Sequence, residues 1–280
     1  KIMCFDKTGT LTEEGLDIMG VRTVYFDKNS CKMGFRKLQT DMGVLGTPTA
    51  TREQELQNVI THEKTFGQNA VFETTKMVPN ELMLEIMSTC HSLTMIDSQL
   101  IGDPLDVKMF ESTGCTLEEN PSDKFDNIVL AIIKKKEQRP QSIMNINKDL
   151  NLQVSTDDVG IIRRFEFSSK LQRMSVVVKH LDETGFRMHL KGSPEKIREL
   201  CKPNSIPPNF HKILDKYAEN GYRVLGLASK VLNVKYKKVA TATREDLEHN
   251  FTFIGLLVME NKLKPITTSI IDVLQDAQIK

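Results

Sequence analysis

The chain has 280 residues, with 38 Lys and Arg against 37 Asp and Glu, a formal net charge of +1. That balance gives no global electrostatic case for nucleic acid or an acidic membrane surface, and no nucleic acid is expected as a partner. The 5 cysteines, Cys4, Cys31, Cys90, Cys115 and Cys201, are odd in number, scattered and without a Cys-x-x-Cys pair, which argues for free thiols in the cytosol. No run approaches the roughly 20 apolar residues that span a bilayer. The start at Lys1, inside an apolar run and without Met, reads as a piece of something longer.

Ile2-Met3-Cys4-Phe5 is apolar and runs into Asp6-Lys7-Thr8-Gly9-Thr10-Leu11-Thr12. An apolar run that ends in a polar, glycine-containing turn predicts a buried parallel strand with Asp6 at its carboxyl end, where ligands of open α/β sheets bind. A carboxylate there can act as a nucleophile toward phosphorus once a cation neutralises the phosphoryl group, so Asp6 is the candidate that attacks the γ-phosphate of ATP. Lys7, Thr8 and Thr10 offer an ammonium and hydroxyls to line the phosphoryl, and Gly9 lets the backbone approach it. Mg²⁺ would be shared by Asp6 and an oxygen of Thr8. Aspartate and threonine are also ordinary turn formers, which is the plain alternative.

These seven residues resemble the phosphorylation signature of the P-type ATPase family, DKTGT followed by Leu or Ile and Thr. The resemblance implies that Asp6 is transiently phosphorylated by ATP. In the hydrolases that share the strand-end aspartate, the residue two positions on is usually a second aspartate acting as general acid and base. Here that residue is Thr8, so an acyl phosphate is expected to persist rather than hydrolyse at once.

Further along, Glu13 to Asp17 reads as a polar connector, Val21 to Phe26 as a strand, Lys32 to Leu38 as a second, and Thr40 to Glu55 as a loop. Leu82, Met83, Ile86, Met87, Cys90 and Leu93 recur at helical spacing between Pro79 and Ile96, and His91 beside them reads as a packed or solvated residue rather than a functional one. Gly114 to Gly160 is the least informative stretch; its Lys134-Lys135-Lys136 run reads as a solvated face, and Ile128 to Ile133 as strand or helix. From Ile161 the pattern sharpens into a meander of Ile161 to Phe167, Met174 to His180 and Phe186 to Lys191, with a turn at Asp182 to Gly185. Helices follow at Ser193 to Cys201, opened by Ser193 and Pro194, and at Asn209 to Asn220, closed by Gly221. Strands at Arg223 to Val231 and Phe251 to Met259 complete the sheet. Pro265 to Lys280 reads as a helix with Ile266, Ile270, Val273, Leu274 and Ala277 on one stripe.

Several of these elements carry candidate nucleotide contacts. Arg163, Phe165 and Phe167 share one face by period two, and Phe167 is a candidate adenine platform, with core packing as its alternative. Alternation along Phe186 to Lys191 sends Lys191 away from the core, ahead of Gly192 and the start of a helix, a place that favours negative charge. Asp103 and Asp106 stand three apart at a helix start, where capping also explains them. Arg223 follows the glycine cap and has a fork suited to phosphate, or to an ordinary salt bridge.

Phe-Ser-Ser-Lys-x-x-Arg-Met-Ser at 167–175, Lys-Gly-Ser-Pro-Glu at 191–195 and Tyr-Arg-Val-Leu-Gly-Leu-Ala at 222–228 resemble, in sequence and order, the nucleotide-binding domain of P-type ATPases. The resemblance covers essentially the whole chain. It implies that Phe167 stacks adenine, that Asp103 or Asp106 meets its amino edge, that Lys191 and Gly192 line base and ribose, and that Arg173 and Arg223 lie toward the phosphates. Where most of the family has Asp-Pro-Pro-Arg at the return hinge, this chain has Glu260-Asn261-Lys262-Leu263-Lys264-Pro265; Lys264 supplies charge to the nucleotide but no bidentate fork. This hinge, with Gly-Asp-Pro-Leu-Asp at 102–106 and Lys-Gly-Ser-Pro-Glu at 191–195, is similar to the fifth, endomembrane subgroup associated with polyamine export into the cytosol.

The fold class expected is α/β with an α+β insertion: an antiparallel sheet flanked by helices, inserted into a fragment of a Rossmann-like haloacid-dehalogenase-type phosphorylation domain. Residues 1–17 and 260–280 would be that fragment with its hinges, and residues 18–259 the nucleotide-binding domain. The implied protein is an ATP- and Mg²⁺-dependent transporter of a cation, a polyamine by subgroup, with this chain as its cytosolic part on an endosomal, lysosomal or other endomembrane. Its partners would be the remainder of the phosphorylation domain, an actuator domain and transmembrane helices. The family's later Thr-Gly-Asp and Gly-Asp-Gly-x-Asn-Asp motifs are absent, so the 280 residues alone are expected to be inactive. The rivals are a soluble strand-end-aspartate phosphatase or phosphomutase and a non-catalytic ATP-sensing module.

Overall fold

The computed structural model describes residues 2–13, 15–27, 32–42, 77–119, 129–135, 158–180, 183 and 185–279. Its frame is a nine-stranded antiparallel sheet in the order β2-β1-β11-β10-β9-β8-β7-β6-β5. The strands are β1 (Asp17–Asp27), β2 (Lys32–Phe35), β5 (Thr116–Glu118), β6 (Ala131–Lys134), β7 (Val159–Ser168), β8 (Arg173–His180), β9 (Phe186–Gly192), β10 (Arg223–Leu232) and β11 (Thr252–Glu260); β3 (Thr94–Ile96) and β4 (Gln99–Ile101) form a separate hairpin. Helices α1 (Pro79–Thr89), α2 (Pro104–Ser112), α3 (Pro194–Leu200), α4 (Phe210–Glu219), α5 (Tyr236–Thr241), α6 (Arg244–Leu247) and α7 (Thr267–Asp276) pack around it or follow it. An α/β chain with a large antiparallel sheet flanked by helices is therefore present. No described helix is long and apolar enough to cross a membrane.

The meander β7-β8-β9 and the strands β10 and β11 stand where alternation and turn residues place them, and Gly221 closes α4 with φ +75°. Residues 131–134 resolve as strand. The helix expected over Pro79 to Ile96 stops at Thr89, because Cys90 leaves helical geometry (φ −85°, ψ 73°) and the chain then turns into β3 and β4. Its apolar stripe is buried as expected, down to Leu93 beyond the helix end. The short helices α5 and α6 have no counterpart in the sequence reading; six and four residues are too few for periodicity to register.

Three expectations are corrected. Residues 2–6 form no strand, and Ile2, Met3 and Phe5 are exposed, since no neighbouring strand is present among the described residues to accept the ladder bonds that would bury them. The strand expected over Lys32 to Leu38 ends at Phe35. Lys191 does not point out of the core: all of β9 is buried, on both faces. Phe186, Met188 and Leu190 lie on the face where α3 packs over Gly226, while Arg187, His189 and Lys191 lie under α1 and α2, which bring Glu85 and Asp106 to meet them. The loop expected at Thr40 to Glu55 lies, from residue 43, outside the described residues.

Candidate functional site

The start of β8, the end of β9 and the start of β10 meet at one end of these central strands, where Gly192 pairs with Arg173 on one side and Gly226 on the other. A cavity of about 820 Å³ opens there. Its walls come from stretches far apart in sequence: Ser92, Asp103 and Asp106, Glu166 and Phe167, Lys191 and Gly192, Asp215, and Arg223.

Each side chain is set by its element. Asp103 caps α2, with Oδ1 accepting from the Leu105 N–H at 2.9 Å, and Pro104 occupies the first helical turn. One turn on, Asp106 is buried and ion-paired with the buried Lys191 ammonium. On β7, Phe165 faces Ser175 but Ser168 faces Arg173, so the strand carries one extra residue and the alternation breaks. Phe165 packs under the Arg163 guanidinium, 4.4 Å from its ring centroid, while Phe167 is 60% exposed at the cavity. An exposed ring of that size on a cavity wall is not core packing. Gly192 is needed for space: a Cβ there would stand 2.3 Å from the Gln172 carbonyl oxygen. Arg223 is exposed on the cavity wall and has no ion-pair partner among the described residues. The chemistry on offer is an aromatic face, carboxylate acceptors, a buried ammonium and an exposed guanidinium, which matches what a purine nucleotide presents.

Arg173 sits apart from that wall. Its Nε donates to the fully buried Glu248 at 2.6 Å, and Ser175 Oγ donates to the same carboxylate at 2.6 Å, so it is spent on tying β8 to the segment after α6. His91 is packed, as expected. Its Nδ1 accepts from the Leu93 N–H, its Nε2 lies 2.9 Å from the Ser88 carbonyl, and its ring meets Phe110 edge-on. Burial, with the charges of Lys191 and Arg164 nearby, pushes its pKa down to about 3.

A largely buried network around Glu85 has no signature in the sequence. Glu85 accepts from His180 at 3.0 Å, His189 at 2.9 Å and Arg187 at 3.3 Å, and His189 Nδ1 lies 3.0 Å from Ser229 Oγ. Burial alone would raise the Glu85 carboxyl, but hydrogen bonds and charge from His180 and His189 outweigh it and hold the pKa well below the ordinary value. Burial also lowers His189, against the pull of Glu85.

At the other end of the chain, Asp6 is exposed and precedes a single π-type turn, Lys7–Leu11, in which Gly9 has φ +79°. The side chains of Lys7 and Thr8 lie outside the described ones. The two connectors read as hinges pair with each other: Glu13 N–H donates to the Lys262 carbonyl at 2.8 Å, Thr12 bridges Leu263, and Lys264 N–H donates to the Leu11 carbonyl at 3.1 Å. Lys264 Nζ donates to the Gly9 carbonyl at 2.6 Å, so this residue, expected at the nucleotide, stands against the Asp6 turn.

Residues 130–266 match the family description "P-type ATPase, cytoplasmic domain N". Over its whole length the chain is 35% identical to the polyamine-transporting ATPase 13A3 and 35% identical to the polyamine-transporting ATPase 13A2, both of Homo sapiens. It is 32% identical, again over its whole length, to the vacuolar cation-transporting ATPase YPK9 of Saccharomyces cerevisiae. The chain belongs to the P-type ATPase family. It spans about a fifth of the length of these relatives, 20%, 20% and 18% respectively.

Within this P-type ATPase segment the cavity extends beyond the domain N match, since Ser92, Asp103 and Asp106 precede residue 130. Of the expected nucleotide contacts, Asp103, Asp106, Phe167, Lys191, Gly192 and Arg223 come together on it, while Arg173 and Lys264 do not. Glu166, hydrogen-bonded by Ser92, is an added carboxylate on the wall. Its position next to Phe167 is the one sequence signal that marks it.

Proposed function

We propose that this chain is the ATP-binding and phosphorylation segment of a P-type ATPase transporter, in which ATP phosphorylates Asp6 to drive transport of a cation. A polyamine is the cargo class that the relatives' names support. Residues 18–259 form the nucleotide-binding unit. Residues 1–17 and 260–280 belong to a haloacid-dehalogenase-type phosphorylation domain completed by chain outside this segment, in a protein whose membrane is an endomembrane. The observation that carries the reading is the convergence of six dispersed nucleotide-motif residues on one cavity, while the DKTGT aspartate stands exposed on its own turn.

In this reading Phe167 stacks the base, Asp103 and Glu166 accept from its amino edge, Lys191 with Gly192 lines the ribose side, and Arg223 neutralises phosphate. An Asp6 carboxylate oxygen attacks the γ-phosphorus in line, the bond to the bridging oxygen breaks, and ADP leaves with that electron pair. Thr8 in place of a second acid leaves no proton donor at hand, so the acyl phosphate persists long enough to be coupled to movement. Asp6 offers one carboxylate ligand of the kind Mg²⁺ takes alongside substrate phosphates, and the ion would supply charge neutralisation there.

The test is labelling of the full transporter with ATP carrying a radioactive γ-phosphate. An acid-stable, hydroxylamine-sensitive label is expected, and it should vanish in Asp6→Asn. Transport that survives Asp6→Asn would favour an ATP-sensing module instead.

A further inference from the structure

We infer that Lys264 is a positioning residue for phosphoryl transfer, fastening the Asp6 turn to the return segment through the Gly9 carbonyl instead of binding nucleotide. The inference rests on the reading of Asp6 as the phosphoryl acceptor.

Gly9 and Lys264 lie 255 positions apart, yet the ammonium donates to that carbonyl at 2.6 Å. The contact does not stand alone. Lys264 N–H and the Thr267 hydroxyl both donate to the Leu11 carbonyl, at 3.1 and 2.6 Å, and Thr12 is fully buried where it bridges Leu263. Within the turn, Gly9 N–H donates forward to Thr12 Oγ1 at 3.3 Å. The acceptor turn is therefore bonded at Gly9 and Leu11 to the start of α7.

Toward the sheet the attachment loosens. Thr12 bridges Leu263 and Asp17 pairs with Glu260, so five steps on one side span three on the other, and the surplus includes Gly15 with φ +89° and open space around its Cα. A ribbon with arms of unequal length and a left-handed glycine bends there more readily than a regular ladder. Bending at Gly15 would swing the cavity relative to Asp6, while Lys264 and Thr267 hold the acceptor turn on the α7 side. A carbonyl fixed three residues past a nucleophile sets its attack geometry, and small misplacements cost rate more than affinity.

The experiment measures the rate of phosphoenzyme formation against ATP concentration in the full transporter carrying Lys264→Met. The maximal rate should fall about tenfold or more, with the half-saturating ATP concentration shifted less than about twofold. Lys264→Arg, which can donate to the same carbonyl, should restore most of the rate. Should Lys264→Met fail to accumulate, Lys264→Leu, which also lacks a donor, is read in the same way. A raised half-saturating ATP concentration at unchanged maximal rate would make Lys264 a nucleotide ligand and overturn the inference, as would no change at all. Label that survives Asp6→Asn sinks the acceptor reading itself; label lost in Asp6→Asn but indifferent to Lys264→Met sinks this inference alone.

Discussion

Lys191 and Asp106 are joined in an ion pair on the buried side of the cavity, their side chains only 6% and 9% exposed. β9 supplies the cation and the first turn of α2 the acid, so the pair holds a helix to the sheet at the cavity wall. Removing one partner leaves the other charge buried without compensation, which costs about 3–5 kcal/mol, whereas replacing both with apolar residues of similar size is often near neutral. Lys191→Met alone should therefore lower stability by that amount in chemical denaturation. Lys191→Met with Asp106→Leu should recover most of it yet still bind nucleotide more weakly than the parent. Full recovery of nucleotide affinity in the double variant would make the pair structural only.

Phe167 offers a cleaner separation of binding from folding. With 60% of its surface exposed it contributes little to the core, so Phe167→Ala should leave the unfolding midpoint within experimental error. Loss of base stacking should weaken nucleotide binding by about 1–3 kcal/mol, measured by calorimetry. A large drop in stability with unchanged affinity would return the ring to a packing role.

What the sequence made legible, and what it hid, divide by the range of the interaction. β7 through β11 could be read because their signals are local: alternation within the strand, Ser193-Pro194 at a helix start, Gly221 at a helix end. Alternation alone puts Lys191 on the wrong side, because an alternating strand looks half-solvated until the elements over its polar face are known. The acids that cover that face, Glu85 and Asp106, lie 104 and 85 positions from their partners His189 and Lys191. Glu85 was hidden further by sitting inside an apolar helix stripe. The cavity motifs were legible as a set, but Arg173 was not separable from them, since nothing near it in sequence announces Glu248 as its partner. Pairing between the connectors at 12–13 and 262–264 is likewise a contact between distant stretches that no local pattern encodes.

Gly192 tests whether a glycine at a ligand wall serves the ligand or the sheet. Its Cβ would meet the Gln172 carbonyl oxygen at 2.3 Å and Arg173 Cα at 2.9 Å, both backbone atoms that cannot rotate aside. Gly192→Ala should then cost about 1–3 kcal/mol through forced separation of β8 and β9. Hydrogen exchange should quicken at the Arg173 and Ser193 amides, the latter being bonded to the Gln172 carbonyl. A stable Gly192→Ala protein with unchanged exchange would show that the sheet accommodates the Cβ without parting β8 from β9.

Acid sensitivity follows from the buried histidines. His91 sits neutral, with one ring nitrogen accepting from Leu93 N–H and the other against the Ser88 carbonyl, and a proton added there would be a buried cation near Lys191 and Arg164. An unfolded histidine titrates near 6.5, whereas this one is pushed down to about 3. Between those values the unfolded chain binds a proton that the folded chain refuses, so stability falls as pH falls, by about 1.4 kcal/mol per pH unit from this residue. His189, lowered by burial, acts in the same direction. Glu85, held low by its histidine partners, contributes stability that is present above the ordinary carboxylate range and lost as pH drops through its depressed pKa. Urea denaturation between pH 8 and pH 5 should accordingly give a level stability above about pH 7 and a decline below about pH 6.5. His91→Gln, which cannot titrate, should flatten that decline by close to one proton; an unchanged slope would mean that the refused proton belongs to another group.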